Sequence, residues 1–388
     1  MLFIPLTSTR LFSMSAFVES PQRSRYLSLL QIVGALGVVT VHVGVPYCRP
    51  FWFFLEVFFV MAGLNMAKAL DGDQPLYAYA VSRVRRLGPE ISAMWIATVV
   101  FVISGEGSPG MLWFIVTGPV FMQNLVVAFF RYTAPNDWVF GPLWFVGALL
   151  QLQLLLFVMR NVLVRVKPEV LVVACVAIGT LFRLLVAVLS GDDLHRLSAS
   201  TASILYCLPL THLEPVVLGL LIGRGALPRM GRLLPFFCVA ALGLGAVNVA
   251  LSGGELSRRS LGFPLMLQLN YAYLWGYSIL ALTAASLCSR NGRLALAVDA
   301  LPLPRWADGM VFKLASLTYG AYVFHGLLLA TGTNAAMLLA WPHAPESRLL
   351  LFAVTAAQSF LIAWGFDLLV RGFKEHRWVP VPGNVRTA

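Results

Sequence analysis

Apolar runs of membrane-spanning length recur along this chain, and they limit its possible folds more than any other feature. The stretch from Gln31 to Lys68 shows the pattern: QIVGALGVVTVHVGVPYCRPFWFFLEVFFVMAGLNMAK, two apolar runs with a short break from Pro46 to Pro50. A bilayer core is crossed by about 20 apolar residues in a helix. Inside it, a lone spanning segment must satisfy its backbone polar groups internally, which selects the α-helix for such runs. Composition agrees. Of 388 residues, 59% are hydrophobic and 12% charged, whereas soluble domains carry about 25% charged residues. The sequence predicts an all-α polytopic integral membrane protein. The net charge of +11 does not indicate nucleic acid. The basic residues lie between the apolar runs, where they orient spans. The five cysteines show no paired spacing, so neither a disulfide framework nor a zinc site is suggested.

Ten spans are expected, at about 27–45, 51–69, 91–104, 142–159, 169–189, 203–222, 233–251, 262–287, 314–337 and 349–370. Residues 1–26 and 371–388 form tails around a single transmembrane domain, 27–370. The segment 110–130, GMLWFIVTGPVFMQNLVVAFF, is long enough to cross but is interrupted by Gly118-Pro119. The charge asymmetry of the loops decides its reading. If it does not cross and the N-terminus is cytoplasmic, 21 of the 28 Lys and Arg residues face the cytoplasm and six face outward. If it crosses, the split becomes 12 inside and 15 outside. The expectation is a re-entrant or surface-lying 110–130 with both termini cytoplasmic. Gln123 and Asn124 would then be polar groups on the wall of a site, since irregular backbone at membrane depth lines cavities or is buried in protein.

Ionisable groups inside apolar segments are costly and are functional candidates by default. His42 lies toward the end of the first run, and Glu56 lies near the start of the second, at similar depth. A carboxylate beside the imidazole would fix its tautomer and stabilise the imidazolium formed on proton abstraction. A packing histidine bonded to a backbone carbonyl fits equally well from position alone. Gln31 stands eleven residues before His42, about 16 Å below it on the same face of a helix. Arg83 and Arg86 precede the third span at i,i+3 spacing. Guanidinium forks suit phosphate oxygens, although topogenic charge needs no ligand. Trp144 opens the fourth span and reads first as an interfacial anchor. His212 and Glu214 are two residues apart, on different faces of a helix. Tyr322 and His325 are i,i+3 neighbours in the ninth span, where a buried structural network is as good a reading as catalysis.

The order of these motifs resembles that of the membrane-bound acyltransferase-3 family, from about Tyr26 to Phe373. LLQIVGALGVVTVHVG matches the first-span run that ends in histidine. FFVMAGL, residues 58–64, matches the second-span signature. Arg83, Arg86 and Pro89 match its R-x-x-R before proline. Pro142 to Phe145 match P-L-W, and Leu317 to His325 match the late I-S-Y-x-x-Y-x-x-H. The resemblance implies transfer of an acyl group, commonly acetyl, from cytoplasmic acyl-CoA to a hydroxyl of a glycan or glycosylated small molecule. It also implies a multi-pass protein in contact with membrane lipid, in a cell membrane of the bacterial inner-membrane kind. No metal, nucleic acid or particular oligomeric state is implied. His42 would be the catalytic histidine, either as general base or through an acyl-histidine, with Glu56 beside it. Arg83 and Arg86 would meet the CoA. The family usually has Arg or Lys where this chain has Gln31, so Arg183, within the fifth span, is the candidate replacement cation on the donor side. Gln123, Asn124, Trp144, Tyr322 and His325 would face the acceptor. A transporter or flippase of a glycan or lipid-linked precursor, using its buried charges as a proton relay, is the principal alternative. A catalytically inactive relative kept as an assembly partner is the other.

Overall fold

The structure, a computed structural model, describes residues 25–46, 48, 54–70, 72–130, 139–191, 198–224, 300–331, 334 and 345–376. All regular structure among these residues is helical. In chain order the longer helices are α1 (Arg25–Val43), α2 (Phe54–Leu70), α3 (Leu76–Ile103), α4 (Pro109–Thr117) and α5 (Gln123–Phe130). Then come α6 (Trp144–Val158), α7 (Pro168–Leu189), α8 (Ala199–Cys207), α9 (Leu213–Gly223), α10 (Arg305–Ala330) and α11 (Pro345–His376). Among the described residues, five helical stretches are long and apolar enough to cross a membrane: Arg25–Val43, Leu76–Ile103, Gly141–Val158, Pro168–Leu189 and Glu346–Phe373. Their outward faces are apolar. On α7, Val170, Val173, Leu181, Leu185 and Val188 are all exposed, a belt that suits lipid rather than water. The expected spans 233–251 and 262–287, and most of both tails, lie outside the described residues.

Two expectations change in detail. The third span is not a short helix preceded by a loop. α3 runs for 28 residues and carries Arg83 and Arg86 in its first turns, with Pro89 inside it. Its buried residues Tyr79, Leu87, Ile91, Met94 and Thr98 share one face, and that stripe holds the helix through the proline. The sixth span is not one helix. It divides into α8, a 3-10 turn at Pro209–His212 and α9, because Pro209 supplies no backbone donor. Segment 110–130 likewise divides, at a 3-10 turn over Gly118–Val120 followed by Phe121 in the left-handed region, φ 57°. Trp95 on α3 braces the break by donating its indole N–H to the Ile115 carbonyl at 2.8 Å.

Two parallel helix pairs form the heart of the fold. α1 and α10 meet at one end through Arg25 and Asp308, bonded at 2.6 and 2.8 Å, and near the other end through His42 and His325. Both contacts have the same sequence offset, 283 residues, so the two helices run side by side in register. α2 and α9 form the second pair. A Cβ on Gly63 would lie 1.9 Å from the Val216 carbonyl oxygen, and one on Gly219 would lie 1.9 Å from that of Val60. Each glycine therefore admits the backbone of the other helix, the small-residue packing by which helices approach closely in membranes. α2 packs antiparallel on α1, with Gly37 against Phe54 and Gly34 against Phe58. The C-terminal ends of α1 and α10 and the N-terminal ends of α2 and α9 thus share one end of the bundle.

Overpacking a tight contact costs about 1–3 kcal/mol. Gly63→Ala should lower stability by that amount in a thermal or denaturant melt of detergent-solubilised protein. Gly88→Ala, whose Cβ would meet nothing within 4 Å, should be neutral or slightly stabilising by the same measurement, because alanine is the better helix former.

Candidate active site

A recess opens at the shared end of the two helix pairs. Val38, Val41, His42, Leu55, Trp144, Tyr206 and Tyr322 line it. His42 is half-buried here, near the end of α1. Its Nδ1 lies 2.5 Å from Nε2 of His325, which is fully buried on α10. The Nδ1 of His325 in turn bonds the backbone carbonyl of Tyr322. A carbonyl only accepts, so His325 Nδ1 carries the proton. Its Nε2 is then the lone-pair nitrogen while the ring is neutral, and His42 Nδ1–H donates to it. The arrangement makes Nε2 of His42 the basic nitrogen of its neutral ring. A proton arriving there gives an imidazolium whose other N–H is already held, the role that a carboxylate plays in a hydrolase triad.

His325 is thus a partner of the catalytic candidate, not an acceptor-facing residue as expected from the sequence. Tyr322 does line the recess, and its hydroxyl donates to the Pro142 carbonyl. Trp144 is buried rather than set at an interface. Its ring stands 4.4 Å from that of Tyr206 and forms part of the recess wall.

Glu56 is not placed as the carboxylate for His42. Its Oε1 lies 2.6 Å from Nδ1 of His212, and His212 Nε2 donates to the Tyr206 carbonyl at 2.8 Å. The offset of this pair, 156 residues, is the register of α2 on α9, which brings His212 rather than α1 against the carboxylate. The second oxygen of Glu56 is buried with no hydrogen-bond partner. The His212 ring stacks on Phe59 at 4.4 Å and lies 5.4 Å from Trp144.

Arg183 is not a spare cation for the donor. It is buried and bonded to both oxygens of Glu214, at 2.8 and 3.2 Å, and to the Thr211 carbonyl at 2.6 Å. An ion pair so neutralised leaves little charge to offer a ligand. Gln31 stays half-buried on α1. His212 and Glu214 do point to different partners, α2 and α7 respectively, as their spacing predicts.

Gln123 and Asn124 are fully buried and do not line the recess. They staple the broken segment to α6 instead. Gln123 Nε2 donates to the Leu143 carbonyl at 3.1 Å. Asn124 and Gln151 exchange amide bonds at 3.1 and 2.9 Å, and Gln151 also donates to the Phe121 carbonyl. A break in a helix leaves carbonyls without donors, and these amides supply them. Their effect on the site is indirect: they fix the entry to α6, where Trp144 begins the helix.

Arg83 and Arg86 lie at the opposite end of the bundle, because α2 descends from the recess and α3 begins after it. The Arg83 guanidinium sits 5.0 Å from the Tyr79 ring. Tyr79 stacks on Phe157 at 4.1 Å, and Arg160 covers Phe157 at 4.5 Å. Arg86 is exposed. Sequence reading had singled out neither Tyr79 nor Arg160. Basic residues at helical spacing beside aromatics are the signal that could have found them.

A helical bundle with apolar outer faces, a histidine pair at one end and arginines at the other defines a membrane protein with a candidate acid–base centre. The sequence profile of the acyltransferase-3 family, described as an acyltransferase domain, matches residues 24–368. The chain belongs to that family. Searches of curated proteins and of solved structures found no significant match.

The amide pair yields a measurable consequence. Asn124→Leu and Gln151→Leu should each destabilise the protein by about 1–3 kcal/mol, the cost of an unsatisfied buried partner. The double replacement should cost clearly less than their sum in a melting experiment.

Proposed function

We propose that the protein is an integral membrane O-acyltransferase. It moves an acyl group, acetyl in the simplest case, from cytoplasmic acyl-CoA to a hydroxyl of a glycan or glycosylated small molecule, with His42 as the catalytic histidine. The observation that carries this reading is the tautomer set by His325, which makes Nε2 the basic nitrogen of His42, a residue that lines a recess with Trp144, Tyr206 and Tyr322. The family supplies the reaction class. Aromatic faces beside a base suit a sugar ring that presents a hydroxyl.

The chemistry then follows a balanced course. The acceptor hydroxyl gives its proton to His42 Nε2 as its oxygen attacks the thioester carbonyl. The C–S bond breaks, and the departing thiolate takes the proton back from His42, releasing CoA. His325 holds the transient imidazolium through its Nε2. The donor enters from the other end, where Arg83 and Arg86 suit phosphate oxygens. Phe157, in the stack beside Arg83, lies 13 residues below Trp144 on α6, about 20 Å along the helix. The extended pantetheine arm of acyl-CoA suits that separation.

The ten-span topology with both termini cytoplasmic belongs to the same reading. Parallel α1 and α10 start at one face, so an odd number of crossings must separate them. The ten expected spans meet this condition only if 110–130 does not cross. The recess end then faces outward, in the cell membrane of a bacterium, toward surface carbohydrate.

Purified protein supplied with acetyl-CoA and a panel of glycoside acceptors should release CoA. His42→Ala should reduce acceptor-dependent release by about 10²–10⁴-fold, the range of a general base, while eluting as wild type in size-exclusion chromatography. Undiminished release in that variant would contradict the assignment of the base. Glycan uptake or flipping that needs no acyl-CoA would favour a transporter.

A further inference from the structure

Four ionisable residues beside the recess, Glu56, His212, Arg183 and Glu214, take no part in the chemistry above. They surround the break between α8 and α9. That break exposes backbone carbonyls. In a continuous helix the Tyr206 carbonyl would accept from the N–H of residue 210, but the 3-10 turn at Pro209 interrupts the ladder. The Thr211 carbonyl faces Pro215 one turn on, which has no N–H to give. Side chains replace the missing donors. His212 takes the Tyr206 carbonyl, Asn124 takes that of Cys207 at 3.4 Å, and Arg183 takes that of Thr211.

The charges behind these bonds are balanced. One proton shared between Glu56 and His212 leaves that pair neutral overall, and Arg183 with Glu214 is neutral as well. Burial of four ionisable groups is tolerable on those terms and no others. The network reaches the recess through two contacts. His212 grips the backbone of Tyr206, and its ring lies against Trp144. Both aromatic side chains are recess wall.

We propose that Glu56, His212, Arg183 and Glu214 form a positioning network that sets the Tyr206–Trp144 wall and so determines which acceptors the recess admits. This rests on the acyltransferase reading above. None of the four is a catalytic residue in it, since each acts through the wall and not on the reacting atoms.

Gly179 gives a means of disturbing the network from outside. A Cβ there would lie 2.3 Å from Oε1 of Glu214 and 3.2 Å from Nη1 of Arg183. The ion pair occupies the space that a side chain at 179 would fill, so Gly179→Ala must displace it. Purified protein would be assayed with acetyl-CoA, comparing methyl hexosides with methyl N-acetylhexosaminides as acceptors, and acetyl-CoA hydrolysis without acceptor. Gly179→Ala should change the ratio of kcat/KM between the two acceptor classes by about tenfold, the scale of one altered pocket contact. Hydrolysis without acceptor should stay within about twofold, since His42 and His325 are untouched. Glu56→Leu should shift the same ratio, and Glu56→Gln, whose amide still reaches His212, should restore it. Amide hydrogen exchange over residues 204–212 should quicken in Gly179→Ala and Glu56→Leu, a readout independent of any acceptor.

An unchanged ratio with unchanged exchange would overturn the proposal. So would an equal loss of hydrolysis and transfer in protein that elutes as wild type, because that would place the network in the catalytic step. Wild-type protein that neither hydrolyses nor transfers from acetyl-CoA would contradict the acyltransferase reading itself, and faster exchange at 204–212 in the variants would still report the network.

Discussion

The contact between His42 and His325 organises the structure as a reactive centre. An imidazole alone has two equivalent options for its proton. Here the Tyr322 carbonyl removes the choice for His325, and His325 removes it for His42. The result depends on helix register. α1 and α10 run parallel at one offset over their whole contact, from the Arg25–Asp308 ion pair to the histidines. Seventeen residues separate the two contacts on each helix, about 25 Å. A one-residue slip would rotate His325 by roughly 100° around its helix and separate the rings. Tyr319 on α10 also donates to the Leu87 carbonyl of α3 at 3.0 Å, so a third helix helps hold that register.

The second parallel pair builds the opposite wall by different means. Gly63 and Gly219 bring α2 and α9 into backbone contact, which sets Glu56 against His212 at the same end of the bundle. Close approach and buried charge support one another. Tight packing excludes water from the ion pairs, and neutral pairing makes the exclusion tolerable. Between the two pairs, the amides of α5 and α6 fix the start of α6 and present Trp144. The recess is therefore bounded by elements from distant parts of the chain, and the first helix brings the His42 imidazole to it.

Much of this was legible in the sequence. Hydropathy alone located α1, α2, α6 and α7 within a few residues, because each is a long apolar run; α10 begins well before the expected 314–337, and α11 extends past the expected 349–370 at both ends. Gly118-Pro119 marked the break that separates α4 from α5. His42, Arg83, Trp144, Tyr322 and His325 stood out by type and order, and the resemblance they carried named the family to which the chain belongs. The partners were not legible. Glu56 is near His42 in sequence, so proximity suggested that pair, but helix register sent it to His212. Arg183 looked like an unpaired cation in a span, and its counter-ion two helices away gave no local sign. The break at Pro209 did have a signal, a proline within an apolar run with a second at Pro215. Hydropathy averages over such residues, and their meaning lies in the backbone carbonyls they leave open.

The central claim is that His325 acts through His42, and a double-mutant cycle on the acyl-transfer rate tests it most directly. His325→Leu should slow transfer in an otherwise wild-type protein, because His42 loses the acceptor for its Nδ1 proton. In a His42→Ala background the same replacement should have no further effect. Full additivity of the two losses would contradict the account, since it would mean that His325 contributes to transfer independently of His42.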